Sequence, residues 1–161
     1  MNFFGTDGIR GTYGSTLTDS TAYLLGKSLA LIGEDCPIVV VARDTRNSGE
    51  KLFGALASGV YDGGGNVINL GILPTNAVGH FVRKFGGDFG VMITASHNPP
   101  CDNGLKVFDR YGVKLCAAKQ EKLSQLMDCL PLPDGHLQHV HEPVFYDIDN
   151  IYRDDVIRAV G

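Results

Sequence analysis

The residues best suited to chemistry lie together in one stretch of the chain, residues 91–109. Ser96, His97 and Asn98 follow one another after a short apolar run, and Lys106 stands in the next apolar segment. A hydroxyl, an imidazole, an amide and an ammonium group on one loop between two strands are a common active-site arrangement, because rigid elements hold such loops. The spacing therefore marks this loop as the candidate site.

The order of these side chains argues against a hydrolase triad. Neighbours on an extended chain point in opposite directions, so we expect that His97 does not activate Ser96. Ser96 is then better suited to act as an exposed acceptor or carrier than as a hydrolytic nucleophile. A plain turn is the alternative interpretation, because Ser, Asn and Pro are ordinary turn residues, and Asp102-Asn103-Gly104 adds a further turn signal.

The elements that must position this loop alternate along the chain. Apolar positions at helical spacing predict helices, and apolar runs bounded by glycine predict buried strands. The predicted helices are 18–32, 50–61, 74–84 and 117–129, and the predicted strands are 37–41, 66–70 and 88–93. A hairpin is predicted from 105–109 and 112–115, followed by a connector at about 131–150 and a last helix at 151–161. This order predicts an α/β fold, a three-layer αβα domain with a mostly parallel mixed sheet that ends in a hairpin.

Composition narrows the class of protein further. A chain of 161 residues with 43% hydrophobic and 20% charged residues is typical of one globular domain. The net charge of −4 argues against nucleic acid or a membrane surface as a partner. No apolar run approaches the roughly 20 residues that span a bilayer. The start shows no secretory leader and the four cysteines form no CxxC pair, so we expect reduced thiols and a cytoplasmic location.

Four motifs in order carry a family resemblance. TASHNPPCDNGLK at 94–106 resembles the phosphoserine loop of the α-D-phosphohexomutase superfamily. FGTDGIRG at 4–11 resembles the amino-terminal signature of the phosphoglucosamine mutase family within it. ARDTRNSG at 42–49 and GILPTNAV at 71–78 resemble two other motifs of the superfamily's first domain. Ala42 and Asn76 stand where Gly and Pro are usual, and neither departure removes a chemical group.

The resemblance implies a phosphosugar mutase and gives roles to five residues. Ser96, as phosphoserine, would donate and recover the phosphoryl group. Lys106 would stabilise that group and assist proton transfer. His97 and Asn98 would line the cleft, and Arg10 would add positive charge, although a solvated surface charge is the alternative for Arg10. The 42–49 loop would support the cleft without making its arginines catalytic.

The same resemblance implies a substrate, a metal and an activator. The reaction would interconvert glucosamine 6-phosphate and glucosamine 1-phosphate through a bisphosphorylated sugar, for cell-wall precursor synthesis. One Mg²⁺ per full-length enzyme would clamp the phosphoryl oxygens, with a sugar bisphosphate as activator. Ser96 would be a metal ligand through its phosphate or hydroxyl. The aspartate ligands of the superfamily have no matching Asp-x-Asp-x-Asp triplet in this sequence.

We therefore expect the chain to be the first domain of a four-domain enzyme. Its partners would be a phosphosugar and the remaining domains of the same enzyme, and the isolated chain would have little or no mutase activity. Two alternatives stay open. One is the first domain of a phosphomannomutase or phosphoglucomutase, which would differ mainly in a sugar loop that the sequence lacks. The other is a non-catalytic module that binds a phosphosugar or a partner domain.

Overall fold

The computed structural model describes residues 3–161, which form a mixed β-sheet between two layers of helices. The strands are β1 Ile9–Thr12, β2 Ile38–Arg43, β3 Asn66–Ile72, β4 Phe89–Ile93 and β5 Asp102–Asp109. The helices are α1 Asp19–Ile32, α2 Gly49–Asp62, α3 Thr75–Phe85, α4 Ala117–Cys129 and α5 Ile148–Val160. The strand order is β1-β5-β4-β2-β3, and β5 runs antiparallel to both of its neighbours while the other four share one direction. The predicted three-layer αβα fold is confirmed.

The apolar run of β2 lies at the centre of the sheet and is covered on both faces. Val39 and Val41 pack into a core with residues of α1, α2 and α4. Val40 and Ala42 pack into a second core with residues of α3 and with Ile148 of α5. Burial on both faces explains why this strand has no alternation of polar and apolar residues.

Helix α1 begins and ends where its sequence signals predict. The Thr18 hydroxyl accepts a hydrogen bond from the Thr21 amide at 3.3 Å, and the Thr21 hydroxyl accepts one from the Thr18 amide at 3.5 Å. This reciprocal pair satisfies two amides that would otherwise lack partners at the helix start. At the other end, the Gly33 amide donates to the Leu29 carbonyl.

Helices α1 and α2 cross at very short range through two glycines. A Cβ atom at Gly26 would lie 2.1 Å from the Leu56 carbonyl oxygen, and one at Gly59 would lie 2.0 Å from the Tyr23 carbonyl oxygen. Real Cβ atoms do not approach oxygen so closely, so the crossing requires glycine at both positions. This contact fixes the layer that covers one face of the sheet.

The last helix, α5, packs against α3 on the other face. Ile148 is buried in the core, and the Tyr152 ring lies 5.9 Å from the Phe81 ring. Asp155 accepts hydrogen bonds from Lys84 at 2.7 Å and from His80 at 2.8 Å. The helix starts earlier than the predicted residue 151, because Ile148 already enters the core and directs the chain onto α3. None of the helices in residues 3–161 has the length and apolar character needed to cross a membrane.

Two segments whose composition favours loops are strands. The Gly-rich segment around Arg10 forms β1, which pairs with β5 from Ile9 opposite Leu105 to Thr12 opposite Asp102. The predicted turn at 102–104 is wrong, since these residues open β5. Each segment pairs with a partner far away in the sequence, and that pairing outweighs the weak strand preference of Gly, Asn and Asp.

The predicted hairpin lies where it was expected, with β5 as its first arm, but its second arm is not a strand. The chain turns at residues 110–112 and returns with an isolated bridge between Phe108 and Lys114. The Asp109 amide donates to Val113 and the Leu115 amide to Val107. The Leu115 side chain is buried in the core, and the chain leaves the sheet after it to begin α4.

Candidate active site

The Ser96 loop joins β4 to β5 at the carboxyl edge of the parallel strands. Arg43 at the end of β2 pairs with Ile93 at the end of β4, so the loops that follow these two strands lie side by side. Ligands of open α/β sheets bind at this edge. The Thr94 amide donates to the Gly104 carbonyl at 2.9 Å and closes the base of the loop.

Ser96 is exposed and has a left-handed backbone with φ of 59°. Its Oγ lies 3.3 Å from Nδ1 of His97. The expectation that these neighbours point apart is wrong, because it assumed an extended chain and Ser96 is not extended. A left-handed residue with a side chain costs roughly 1–2 kcal/mol, so surrounding contacts must hold it there.

Two hydrogen bonds hold the backbone of Ser96 on both sides. Its amide donates to Oγ1 of Thr94 at 2.9 Å, and its carbonyl accepts from Nη2 of Arg46 at 2.8 Å. Both holding groups meet at one oxygen, Oδ2 of Asp44. Thr94 donates to this oxygen at 2.6 Å, and Nε of Arg46 donates to it at 3.1 Å. Asp44 and Arg46, in the loop after β2, therefore fix the conformation of Ser96.

Arg46 uses all five of its N–H donors, and its side chain is only 10% exposed. One donor binds Asp44, and the other four bind backbone carbonyls of the Ser96 loop. These carbonyls belong to Ser96, Asn98, Pro99 and Asp102, at 2.8, 2.9, 2.6 and 3.0 Å. Asp44 and Arg46 thus form an ion pair inside the 42–49 loop, and the same arginine also supports the candidate site.

Asn98 contributes to the shape of the loop. Its amide nitrogen Nδ2 donates to Asp102 at 3.3 Å, and its backbone amide donates to Ala95 at 3.1 Å. Asp102 also accepts from the Thr12 hydroxyl at 2.9 Å, which ties the loop to β1. Asn98 thus lies half-buried within the loop, whereas Ser96 and His97 are exposed.

Arg10 lies on β1 opposite Gly104. Its Nη2 donates to Asp7 at 3.2 Å, while its Nε is buried without a hydrogen-bond partner in the described part of the chain. Lys114 reinforces the segment before β1 by donating to the Thr6 carbonyl and by pairing with Asp7 at 3.7 Å. Arg10 is thus anchored through Asp7 rather than fully solvated.

Lys106 lies on β5 opposite Met92 and is half-buried. Within residues 3–161 its side chain has no hydrogen bond or ion pair, and it lines a cavity of about 180 Å³ together with Asp7 and Lys114. The structure thus brings Ser96, His97 and Asn98 together on one loop. It places Lys106 on β5, which continues from that loop, and Arg10 on β1, which pairs with β5. No hydrogen bond within residues 3–161 joins either side chain to Ser96.

Gly104 lies between the Ser96 loop and Arg10. The sequence prediction, which assigned Gly104 to a turn, missed this role. A Cβ atom there would lie 2.7 Å from the Thr94 carbonyl oxygen and 3.1 Å from Cγ of Arg10. Any side chain would push apart the Ser96 loop and Arg10. Thr94 was likewise overlooked, since a hydroxyl at a strand end carries no signal of its own in a single sequence.

The residues present do not form a complete magnesium site. Mg²⁺ takes near-octahedral oxygen coordination. No group of three or more His, Cys, Asp or Glu side chains in residues 3–161 is placed to hold a metal ion. Ser96 would supply a single oxygen, so magnesium stays a prediction.

Fold and site define an αβα domain that presents a rigidly held serine at the carboxyl edge of its sheet. The chain belongs to the phosphoglucomutase/phosphomannomutase family, since the model of that family's alpha/beta/alpha domain I matches residues 1–130.

Named relatives agree with this assignment. The chain is 43% identical over 144 residues to a phosphoglucosamine mutase of Staphylococcus haemolyticus, covering 84% of this chain and 32% of that protein. It is 45% identical over 139 residues to a phosphoglucosamine mutase of Clostridium tetani, covering 82% of this chain and 31% of that one. A phosphoglucomutase/phosphomannomutase family protein of Burkholderia thailandensis has a TM-score of 0.73 at 30% identity, over 97% of this chain and 35% of that structure. The chain thus spans about a third of the length of these relatives.

Proposed function

We propose that this chain is the phosphoryl-carrying first domain of a mutase that interconverts glucosamine 6-phosphate and glucosamine 1-phosphate. The family match supports the reaction class, and the phosphoglucosamine mutases among its relatives support the amino sugar. One observation carries the proposal. The amide and the carbonyl of Ser96 are both held by hydrogen bonds, while its side chain lies on an exposed loop. A carrier needs this combination, because phosphoryl transfer depends mainly on in-line positioning and charge stabilisation.

The proposed chemistry uses Ser96 twice in each cycle. The bond between phosphorus and Oγ breaks as a new bond forms to a hydroxyl of the sugar monophosphate. The bisphosphorylated sugar then returns the phosphoryl group from its other position to Oγ. In each transfer the hydroxyl that attacks phosphorus loses one proton and the oxygen that leaves phosphorus takes up one, so protons balance and no phosphate is consumed.

Nearby side chains would serve this transfer. Nδ1 of His97 lies 3.3 Å from Oγ of Ser96 and would exchange a proton with that oxygen. Lys106 and Arg10 would bring positive charge to the phosphoryl oxygens, and the unpartnered Nε of Arg10 supports such a role. Asn98 would keep the loop closed. Magnesium, when bound, would neutralise phosphoryl charge, and a sugar bisphosphate would prime Ser96.

Cellular location and partners belong to the same proposal. All four cysteines are free and exposed, which favours a reducing compartment such as the cytoplasm. The relatives are about three times longer than this chain, so the partners would be a phosphosugar and further domains of the same protein. The negative net charge speaks against nucleic acid.

A second candidate substrate is a glucose or mannose phosphate. The solved structure from Burkholderia thailandensis, a phosphoglucomutase/phosphomannomutase family protein, supports it. Competition between glucosamine 6-phosphate and the 6-phosphates of glucose and mannose, measured as kcat/KM on the complete protein, separates the candidates. A preference for glucose or mannose would replace the amino-sugar proposal and leave the carrier role of Ser96 intact.

The carrier role is tested on the complete protein as its source encodes it. Trypsin releases residues 85–106, in which Ser96 is the single serine and Thr94 the single threonine. After incubation with magnesium and glucose 1,6-bisphosphate, fragmentation of this peptide should place phosphate on Ser96. The Ser96→Ala variant should lose mutase activity, while Ser15→Ala serves as a serine control away from the loop. Unmodified Ser96 in a protein that turns over would overturn the proposal.

The same assay addresses the isolated chain. Residues 1–161 alone should show little or no turnover of glucosamine 6-phosphate, because one oxygen ligand does not build a metal site. Robust turnover by the isolated chain would contradict this expectation. The non-catalytic module would become the leading interpretation if the complete protein bound the phosphosugar without turnover and without phosphate on Ser96.

A further inference from the structure

We propose that Asp44, Arg46 and Thr94 are positioning residues that set the rate of phosphoryl transfer at Ser96. These three residues are called the loop clamp below. The inference rests on the proposed carrier function of Ser96 and adds to it the device that fixes the serine. None of the three is proposed to touch the substrate.

The first argument is convergence on one residue with unusual backbone geometry. Ser96 adopts φ of 59°, a conformation that residues with side chains rarely keep without help. Thr94 holds its amide and Arg46 holds its carbonyl, so the peptide groups on both sides are fixed. Asp44 orients both holders through Oδ2. Loss of any member therefore frees at least one side of Ser96.

The second argument is the saturation of Arg46. Its guanidinium has five N–H donors, and all five are used, one on Asp44 and four on carbonyls of the loop. Lysine has three donors at a single nitrogen and cannot span these acceptors. An exchange of Arg46 for Lys is therefore not conservative, although the charge is kept.

The third argument is electrostatic. Carbonyl oxygens carry partial negative charge and would repel a phosphoryl group. Arg46 binds four of them, Ala95 accepts from the Asn98 amide, and Cys101 accepts from the Tyr13 amide. Carbonyls engaged in this way are not free to turn toward the phosphate on Ser96. The loop clamp thus keeps negative dipoles away from the transferred group while it fixes the serine.

The test compares Arg46→Lys with Arg43→Lys in the complete protein. Arg43 is the other arginine of the 42–49 segment and ends β2. Its side chain makes no hydrogen bond in the described part of the chain and so holds no carbonyl of the Ser96 loop, which makes it a matched control. Arg46→Lys should lower kcat on the order of 10²-fold with KM within about twofold, because misplacement of a reacting group costs rate. Arg43→Lys should stay within about twofold of wild type in both. A variant that is only less stable would have a smaller fraction of active molecules. Titration of the phosphate on Ser96 counts the active molecules, so kcat is expressed per active molecule.

A second readout does not depend on turnover. Hydrogen exchange of the Ser96 and Asn98 amides in the 161-residue chain should accelerate at least about tenfold in Arg46→Lys, with α1 and α2 unchanged. Thr94→Val should accelerate hydrogen exchange of the Ser96 amide, because it removes the hydroxyl that accepts from this amide. Thr94→Ser keeps the hydroxyl and should not accelerate exchange.

The outcomes separate this inference from the proposed function. Unchanged exchange and unchanged kcat in Arg46→Lys overturn the loop clamp while Ser96 remains the carrier. Faster exchange with kcat within twofold of wild type also overturns it, since the clamp would then be structural only. If wild type carries no phosphate on Ser96 and shows no turnover, the proposed function fails and the rate role of the clamp fails with it. Faster exchange together with lower kcat in Arg46→Lys supports the loop clamp.

Discussion

Thr94 and Asp44 stand 50 residues apart, and the Thr94 hydroxyl donates a hydrogen bond of 2.6 Å to Oδ2 of Asp44. The same hydroxyl oxygen accepts the amide of Ser96 at 2.9 Å. One buried hydroxyl therefore links the loop after β2 to the serine after β4. Thr94 is 4% exposed, so its end of this link is shielded from water.

Removal of the Thr94 hydroxyl should destabilise the 161-residue chain. Thr94→Val keeps the shape but leaves the Ser96 amide unpaired and takes one donor from Asp44, a loss of about 2 kcal/mol in the free energy of unfolding. Thr94→Ser keeps the hydroxyl and should lose much less. Urea unfolding of both variants measures the difference, and a Val variant within about 0.5 kcal/mol of the Ser variant would show that the bond contributes little.

Backbone strain at Ser96 predicts that the glycine and alanine variants at this position have an unusual order of stability. At ordinary positions Gly is less stable than Ala by roughly 0.5–1 kcal/mol. At Ser96 the left-handed backbone penalises Ala and not Gly, so Ser96→Gly should be at least as stable as Ser96→Ala.

The control for this order is Glu121, which is exposed inside α4. There Glu121→Gly should unfold about 1 kcal/mol more easily than Glu121→Ala. Chemical denaturation of all four variants decides the matter. If Ser96→Gly falls below Ser96→Ala by the same margin as at Glu121, Ser96 does not hold a strained conformation in solution.

Some helices and strands of this molecule are specified by neighbouring residues, whereas others form only through contacts with residues far away in the sequence. Helix α1 carries its own start signal in Thr18 and its own end in Gly33, so it can be predicted from neighbouring residues. Strand β1 has no such signal. It forms because Ile9 to Thr12 find partners on β5, far along the chain, and a Gly-rich segment alone predicts a loop.

The candidate site divides in the same way. Ser96, His97, Asn98 and Lys106 could be named because their side chains carry recognisable chemistry. The partners of Arg46 could not, because four of them are backbone carbonyls, which every residue has. The left-handed backbone at Ser96 also has no signal in a serine, and assuming an extended chain there gave the wrong position for His97.

The crossing of α1 and α2 should not tolerate a methyl group. A Cβ at Gly59 would lie 2.0 Å from the Tyr23 carbonyl oxygen, so Gly59→Ala must separate the two helices. The expected loss is at least about 2 kcal/mol, since overpacking outweighs the gain in helix propensity. Gly5→Ala is the control, because its Cβ would meet only the Gly8 carbonyl at 3.7 Å. Thermal and urea unfolding compare the two, and equal stability would mean that the helices cross less closely than 2.0 Å implies.

The connector is held to α2 by a hydrogen bond that makes stability depend on alkaline pH. The Tyr61 hydroxyl donates to Glu142 at 2.6 Å. Burial, followed by this hydrogen bond and the charge of Glu142, raises the pKa of Tyr61 to about 12 from the ordinary value of 10.0. Because the folded pKa lies above the unfolded one, the stabilisation is fully present below pH 10 and is lost as the pH rises toward 12.

Tyr61→Phe should therefore be less stable than wild type by a constant amount up to about pH 10, and the gap should close between about pH 10 and 12. Tyr13 and Tyr23 also have pKa values raised to about 12, so only the difference between wild type and variant isolates Tyr61. Glu142→Gln removes the charge and keeps the tyrosine buried, so it should lower the pKa of Tyr61 only in part. Urea unfolding across this pH range, with phenolate absorbance as the second signal, measures both effects. A gap that stays constant through pH 12 would show that Tyr61 ionises at the same pH in the folded and unfolded chain.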